Sequence, residues 1–228
     1  MTMPFYVPPE QVMKDRADYA RKGIARGRSL IAMSAVDAIV LVAENPSRTL
    51  YKISEIYDRI AFAGVGKYNE FEMLRIAGVR QADVKGYSFA REDVNARSLA
   101  NAYAQTLGQV FTHELKPYEV EILVAQVGAT PDDDELFQIL YDGVVNDKEG
   151  YTVLGGQAET VTDALTERYT PQLDVGAAVR LGAEVLAVGD AEPLSENQLE
   201  VALLDRGRTR RAFHRVKAAE LDGLLSGG

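Results

Sequence analysis

The sequence predicts an α+β fold of antiparallel sheets and paired helices, and three observations support it. Apolar runs of strand length follow one another without the regular strand–helix alternation of a doubly wound sheet. Asp142-Gly143 lies between two apolar runs and is the clearest hairpin turn in the chain. Helical periodicity comes in neighbouring segments, as at 159–169 and 174–188. The 228 residues, 46% of them hydrophobic, suffice to bury one large core.

The first half of the chain is predicted to begin with a helix, because Met13, Ala17 and Ala20 recur at helical spacing after two prolines. Glycines near residue 25 end this helix, and strands follow. The predicted segments are a helix at 9–24, a strand pair at 29–36 and 38–43 that turns at Asp37, a strand at 56–63 that ends in Gly64-Val65-Gly66, a helix at 68–76 that ends near Gly78, and a helix at 97–114.

The second half is predicted to contain the hairpin, two capped helices and a terminal helix. Asp-Gly favours a type I′ turn, since it readily supplies two positive φ angles. Thr160 and Asp174 are predicted N-caps. The acidic run Asp132–Glu135 is predicted to be a solvated loop that binds no metal. The segments are strands at 120–124, 136–141, 144–145, 151–154 and 199–204, and helices at 159–169, 174–188 and 211–225.

Composition excludes several classes of function. With 34 acidic and 25 basic residues the net charge is −9, which disfavours nucleic acid and anionic membranes as partners. The absence of cysteine excludes disulfides and thiolate metal sites. The N-terminus lacks the basic and apolar regions of a signal peptide, and no apolar stretch of about 18 residues is free of charge. We therefore expect a soluble, cytoplasmic protein.

The short motifs associated with catalysis or cofactors are all incomplete. The segment from Ala61 to Tyr68 resembles a phosphate loop but has alanine at the first glycine position and tyrosine where a magnesium-binding Ser or Thr is required. His113 and His214 are the only histidines, and neither has the spacing of a zinc site. The serines lack the setting of a serine hydrolase. No catalytic residue, metal or cofactor is predicted.

One longer stretch carries a specific resemblance. From Tyr19 to Phe71 the chain contains the segments YARKGIARG, VAENPSR, KISEIYDRIAFA and GKYNEF. Together they resemble the proteasome α subunits of the actinobacterial type, and the similarity continues with few gaps to about Leu225. The resemblance implies an Ntn-hydrolase fold, a four-layer α-β-β-α sandwich of two antiparallel sheets. It also implies an N-terminal gate segment at 1–8 and a single domain at 9–228.

The resemblance implies a subunit without catalytic activity inside a threonine-type endopeptidase complex. Active members of this fold begin with a threonine whose own amine is the base. Here the corresponding strand begins near Arg28-Ser29, behind a helix, and has no threonine at its start. The alternative is a self-processed Ntn amidohydrolase with its own nucleophile.

The sharpest binding prediction concerns Lys52 and Gly66. By resemblance, these residues form a pocket at the boundary between neighbouring α subunits, where the C-terminus of a regulatory ATPase inserts. The lysine would pair with the terminal carboxylate, and a side chain at the glycine would block the peptide backbone. Alternatively, Lys52 is a strand-edge lysine that discourages aggregation.

The N-terminal segment and first helix are the other predicted functional elements. The resemblance implies that seven copies of the segment close a channel, through the gate residues Met3, Phe5, Tyr6, Val7 and Pro8. The helix would contact the neighbouring subunit through Val12, Met13 and Tyr19. The alternatives are a frayed terminus and an exposed amphipathic helix. The implied partners are proteasome β subunits, the other α subunits of a seven-membered ring and a regulatory ATPase ring, acting on proteins tagged with the small modifier Pup.

Overall fold

The computed structural model describes residues 8–47, 49–188 and 194–226. The helices are α1 (Pro9–Ile24), α2 (Tyr68–Ser88), α3 (Ala96–His113), α4 (Ala158–Thr166), α5 (Val175–Leu186) and α6 (Ala218–Ser226). The strands are β1 (Leu30–Ser34), β2 (Ala38–Glu44), β3 (Ile53–Tyr57), β4 (Ile60–Gly66), β5 (Val120–Gln126), β6 (Glu135–Ile139), β7 (Val145–Lys148), β8 (Tyr151–Leu154), β9 (Leu199–Asp205) and β10 (Phe213–Arg215). Single 3-10 turns lie at Arg91–Asp93, Pro131–Asp133 and Glu196–Gln198.

The strands form two five-stranded sheets. Their orders are β10-β9-β2-β1-β8 and β3-β4-β5-β6-β7. Every paired neighbour is antiparallel. The predicted α+β class is therefore confirmed.

Three apolar clusters show how the layers stack. One cluster lies between the sheets and includes Leu30 and Leu41 of one sheet and Leu123 of the other. A second lies between the outer face of the first sheet and helices α4 and α5, and a third lies between the second sheet and helices α2 and α3. Because β1 and β2 are covered on both faces, they are buried along their whole length and apolar up to their last residues, Ser34 and Glu44, rather than alternating. The result is the predicted four-layer sandwich.

Helix α1 lies outside these four layers. It buries Ala20 and Ile24 against Tyr141, with Phe111 beside them. The Arg16 guanidinium donates to the main-chain carbonyls of Phe111 and Glu114, which follow from the end of α3. Helix α1 is thus anchored to the end of α3 and to the loop before β7, and it also contacts β4 and β5.

The single strand predicted at 56–63 is wrong, because the chain makes a hairpin there. Strands β3 and β4 are joined by a tight turn at Asp58-Arg59 that has no glycine, proline or asparagine. Distant groups hold this turn instead: Asp58 accepts two hydrogen bonds from Arg91, at 2.6 and 2.8 Å, and Arg59 donates to the carbonyls of Val127 and Gly128. Asp58 is its one turn-favouring residue, and a single aspartate is too weak a local signal to mark a hairpin.

Three boundaries predicted from local signals are also wrong. Helix α2 does not end near Gly78 but continues to Ser88, because that glycine faces the Tyr103 hydroxyl of α3, where a Cβ atom would overlap it. The terminal helix predicted at 211–225 is strand β10 followed by α6. Helix α4 begins at Ala158, so Thr160 lies inside it, whereas Asp174 does cap α5 by accepting from Ala177 N at 2.7 Å.

The Asp142-Gly143 hairpin is confirmed, but its turn is not type I′. Only Gly143 has a positive φ, +87°. Its N–H donates to Leu140 O at 2.9 Å, and Leu140 N donates to Val144 O at 2.9 Å. This is a type I turn followed by a glycine bulge, the arrangement of a three-residue loop.

The acidic run at 132–135 is not wholly solvated. Asp134 is buried, with only 1% of its side chain exposed, and pairs with Arg206 at 2.7 Å. Among the described residues, no cluster of three or more histidine, aspartate or glutamate side chains is arranged to hold a metal ion. Nor, within these ranges, is any helix long and apolar enough to cross a bilayer.

Candidate functional site

Lys52 immediately precedes β3, and both its main chain and its side chain are held in place. Its carbonyl accepts from Gly64 N at 3.0 Å, which extends the β3–β4 pairing by one residue. Its own N–H donates to Glu200 Oε2 at 2.8 Å. The ammonium Nζ donates to Arg28 O at 2.6 Å, just before β1. The side chain therefore bridges from the edge of one sheet to the start of the other.

A buried carboxylate, Glu200 of β9, organises this segment. It is 7% exposed. Its Oε2 accepts from the side chain of Asn45 at 2.7 Å and from Lys52 N, while its Oε1 accepts from Ile53 N at 3.1 Å and from the Arg215 guanidinium. Arg215 also donates to Ile53 O at 2.6 Å. Glu200 thereby fixes the residues on both sides of the Lys52 peptide unit.

The surroundings of Lys52 weaken its affinity for a proton. Burial lowers the pKa of the Lys52 amine from its ordinary 10.5 to about 8; the Glu200 carboxylate opposes this shift and the Arg28 guanidinium adds to it. At neutral pH most of these amines still carry a charge. A partly desolvated ammonium of this kind interacts strongly with an incoming carboxylate.

Gly66 ends β4 in a conformation that only glycine adopts readily. Its φ is +106°, and a Cβ atom there would overlap the carbonyl oxygen of Glu119. Glycine is therefore required at this position by contacts within the subunit itself. The resemblance had implied a different reason, that a side chain here would block the backbone of a bound peptide. The adjacent Lys67 N donates to Glu119 O at 2.9 Å.

The structure brings Lys52 and Gly66 to one segment, Gly27-Arg28. Arg28 receives the Lys52 ammonium. At Gly27, a Cβ atom would lie 3.0 Å from Gly66 N and 2.7 Å from the side chain of Val65. The predicted pair therefore borders one small surface where β1 begins, β3 begins and β4 ends.

The start of β1 does not resemble an exposed nucleophile. The Ser29 side chain is 5% exposed, and its hydroxyl has no partner among the described residues. The preceding residue is Arg28, which forms an ion pair with Glu44. Ahead of them, α1 is packed against Tyr141 rather than free to leave. These features do not favour a self-processed hydrolase.

The predicted contact residues of α1 form an exposed apolar surface. Val12 is 39% exposed, Met13 38% and Tyr19 48%. Val12 and Tyr19 line a groove of about 590 Å³ together with Leu115, which is fully exposed. Pro8 is exposed at the N-cap of α1, whereas Met3, Phe5, Tyr6 and Val7 lie outside the described residues.

Sequence reasoning missed Glu200 and Glu119. Glu200 is a single charge within the apolar run LEVALL, and such an interruption of a buried strand signals a specific partner. Glu119 lies in a loop before β5 and carries no comparable signal. The partners of Glu200 and Glu119 are known only from contacts between segments that are distant in the sequence.

Comparison with known proteins places the chain in one family. The proteasome subunit family matches residues 24–204. The proteasome subunit alpha of Sanguibacter keddieii is 61% identical over 230 residues, covering 99% of this chain and 90% of that protein. The corresponding proteins of Thermomonospora curvata and Acidothermus cellulolyticus are each 56% identical, covering 100% and 99% of this chain and 100% and 98% of those proteins. The chain therefore belongs to the proteasome subunit family.

Proposed function

We propose that this chain is a noncatalytic α subunit of an actinobacterial-type proteasome core particle. It forms a seven-membered outer ring with copies of itself, binds β subunits that hold the threonine endopeptidase sites, and docks a regulatory ATPase. Residues 1–8 gate the entry of Pup-tagged proteins in the cytoplasm, and residues 9–228 form one domain. Proteasome α subunits of other bacteria that are 52–61% identical to this chain support this proposal.

The observation that carries the docking role is the position of Lys52. Its ammonium is held at Arg28 O, and the preceding residue, Gly27, lies against Gly66; an edge lysine would instead extend freely into water. A peptide carboxylate can replace that carbonyl as the acceptor and gain a charge-assisted bond. A neighbouring subunit would complete the pocket, and the exposed face of α1 that contains Val12, Met13 and Tyr19 would contribute to the ring contact.

The self-processed amidohydrolase is the alternative. It would need the chain to be cut ahead of β1, yet α1 is anchored by the two carbonyls that accept from Arg16. Mass spectrometry of the purified chain would detect such a cut. Hydrolysis of peptides by this chain without β subunits would favour the alternative.

Replacing Lys52 with alanine is expected to weaken docking about 10- to 150-fold, since a hydrogen bond to a charged group contributes roughly 1.5–3 kcal/mol. The measurement is fluorescence anisotropy on the particle coexpressed with the organism's own β subunit. The probe is a labelled synthetic peptide that copies the last ten residues of its proteasomal ATPase. Native mass verifies that the variant assembles.

Two controls isolate the ion pair. Lys217→Ala removes an exposed lysine next to α6 and should leave the dissociation constant unchanged. A peptide amidated at its C-terminus should bind equally weakly to the wild-type and Lys52→Ala particles. Wild-type affinity of Lys52→Ala for the free-acid peptide would contradict the docking role.

Docking should also weaken as the pH rises through 8. The pKa of the Lys52 amine is about 8. Most amines are therefore charged at pH 7 and most are neutral at pH 9, which lowers affinity about tenfold between these values. Lys52→Arg stays charged over this range and should show no such decline. An equal decline in both proteins would assign the pH dependence to another group.

A further inference from the structure

We propose that Glu119 is a positioning residue that couples the Lys52–Gly66 site to helix α1, because its main chain contacts Gly66 and its side chain contacts α1. The inference rests on the proposed docking function. It goes further by naming the route through which an occupied site would move the helix.

The main chain of Glu119 supports the end of β4. Its carbonyl accepts from Lys67 N at 2.9 Å and lies directly against Gly66. Gly66 is paired with Val120, the next residue along. A shift of Gly66 on peptide binding therefore meets Glu119 first. With no side chain at position 66, nothing separates the two backbones.

The side chain of the same residue lies beneath α1. A Cβ atom at Gly23 would lie 2.6 Å from Glu119 Cγ, so only a glycine allows the helix to approach this closely. Burial raises the pKa of this carboxyl, but Lys116 and Lys67, with a smaller effect of the Tyr19 hydroxyl, outweigh it and hold the pKa below its usual value. Tyr19 lies one turn earlier in α1, and its ring centroid is 5.5 Å from Lys116 Nζ.

The charges around Glu119 make it a firm connection rather than a loose contact. Lys116 Nζ lies 2.9 Å from Glu119 Oε1 and 2.6 Å from the buried Glu70 Oε1. Glu70 Oε2 in turn accepts from Glu119 N at 2.7 Å. The side chain and main chain of Glu119 are thus fixed to the first turn of α2. Because its main chain and side chain belong to one network, a displacement of the main chain at Gly66 would reach α1 through this residue.

The test follows the position of α1 separately from docking. The chain contains no cysteine, so Lys14→Cys provides a unique thiol in this subunit on an exposed part of α1. An environment-sensitive dye is attached there in the coexpressed particle, and a particle without the added cysteine is treated in parallel. Peptide binding is measured by anisotropy and the dye response by its emission shift, with the same ten-residue peptide.

Glu119→Gln should keep the dissociation constant within about twofold of wild type and reduce the emission shift at least threefold. Tyr19→Phe, which keeps the packing and removes the hydroxyl, should reduce the shift in the same direction. Tyr19→Phe also tests the coupling if the Glu119→Gln subunit does not assemble into particles. Glu92→Gln makes the same change at an exposed residue of the 3-10 turn between α2 and α3. It should alter neither the dissociation constant nor the emission shift.

The outcomes separate the two proposals. Peptide binding with no dye shift in the wild-type particle would overturn the coupling and leave the docking site intact. A proportional loss of binding and shift in Glu119→Gln would make Glu119 part of the docking site only, and would also overturn the coupling. An unchanged shift in both variants would do the same. Failure of the peptide to bind wild type would overturn the docking site and, with it, this inference.

Discussion

Replacing Glu200 with alanine is expected to lower the free energy of unfolding by about 3–5 kcal/mol, the usual cost of removing one partner from a buried ion pair. The carboxylate is 7% exposed and pairs with Arg215 across two neighbouring strands. Its loss leaves that guanidinium without its main acceptor. It also leaves the N–H groups of Lys52 and Ile53 without partners. Urea unfolding of the isolated chain, followed by circular dichroism, measures the change.

The same substitution should weaken docking of the ATPase peptide. Glu200 fixes the main chain at Lys52 and its charge raises the pKa of the Lys52 amine. Without that charge the pKa falls further below 10.5, so fewer amines are protonated at neutral pH. Glu200→Ala is therefore expected to lower both the stability of the chain and its affinity for the ATPase peptide. The affinity is measured by fluorescence anisotropy on the assembled particle.

Glutamine cannot replace Glu200, which provides a sharper version of the test. Both carboxylate oxygens accept from two donors each, so an amide NH2 at either position faces donors only. Glu200→Gln should therefore also be strongly destabilised. Glu167→Ala, on an exposed residue after α4, should change stability by less than about 0.5 kcal/mol. A loss below about 1 kcal/mol for Glu200→Ala would show that the network is dispensable.

The parts of the fold that could be predicted are those that depend on local pattern. Strands β1 and β2 are continuous apolar runs because both of their faces are covered, and the hairpin after β6 contains Asp-Gly. The failures share a cause. Gly78 ends a helix by local rules, yet here it is the place where α3 approaches α2. The Asp58-Arg59 turn is held by groups more than 30 residues away.

The candidate site could be predicted only in part. Lys52 and Gly66 were found by resemblance, and the structure shows that both border Gly27-Arg28. The carboxylate that fixes Lys52 is 148 residues away in the sequence, and no spacing rule spans that distance. Glu119 connects Gly66 to α1 through its carbonyl, its fit under Gly23 and its ion pair with Lys116, and these contacts arise only in the folded chain.

The acidic run at 132–135 is the clearest case in which composition was misleading. A charge run usually marks a solvated loop. One of its four residues, Asp134, turns inward instead, where Gly128 N donates to its Oδ1 at 2.8 Å and Arg206 provides a countercharge. Arg206 donates to both oxygens of that carboxylate, at 2.7 and 3.0 Å. The side chain of Arg206 is 10% exposed and that of Asp134 1%, so bulk water solvates neither charge.

Arg206 joins three segments that the chain leaves far apart. Besides Asp134 it donates to the carbonyls of Ala35 and Val36, in the turn between β1 and β2. It also donates to the carbonyls of Gly128 and Thr130, in the loop between β5 and β6. The Arg206 guanidinium therefore connects the two sheets at this end, where Arg59 of the β3–β4 turn also donates to Arg208 O. Its fork geometry satisfies carbonyls and carboxylate together, which a lysine could not do.

Arg206→Met is accordingly expected to lower the free energy of unfolding by about 3–5 kcal/mol, because it leaves Asp134 charged and buried. Asp134→Asn should cost a similar amount, since it leaves the guanidinium without a countercharge. The double variant should cost less than the sum of the two, because neither charge is then left alone. Arg208→Met is the matched control, since its pair with Asp205 is 55% and 39% exposed and should contribute less than about 1 kcal/mol. Urea unfolding of the wild type and these four variants measures the losses, and additive losses in the double variant would show that the two side chains act independently.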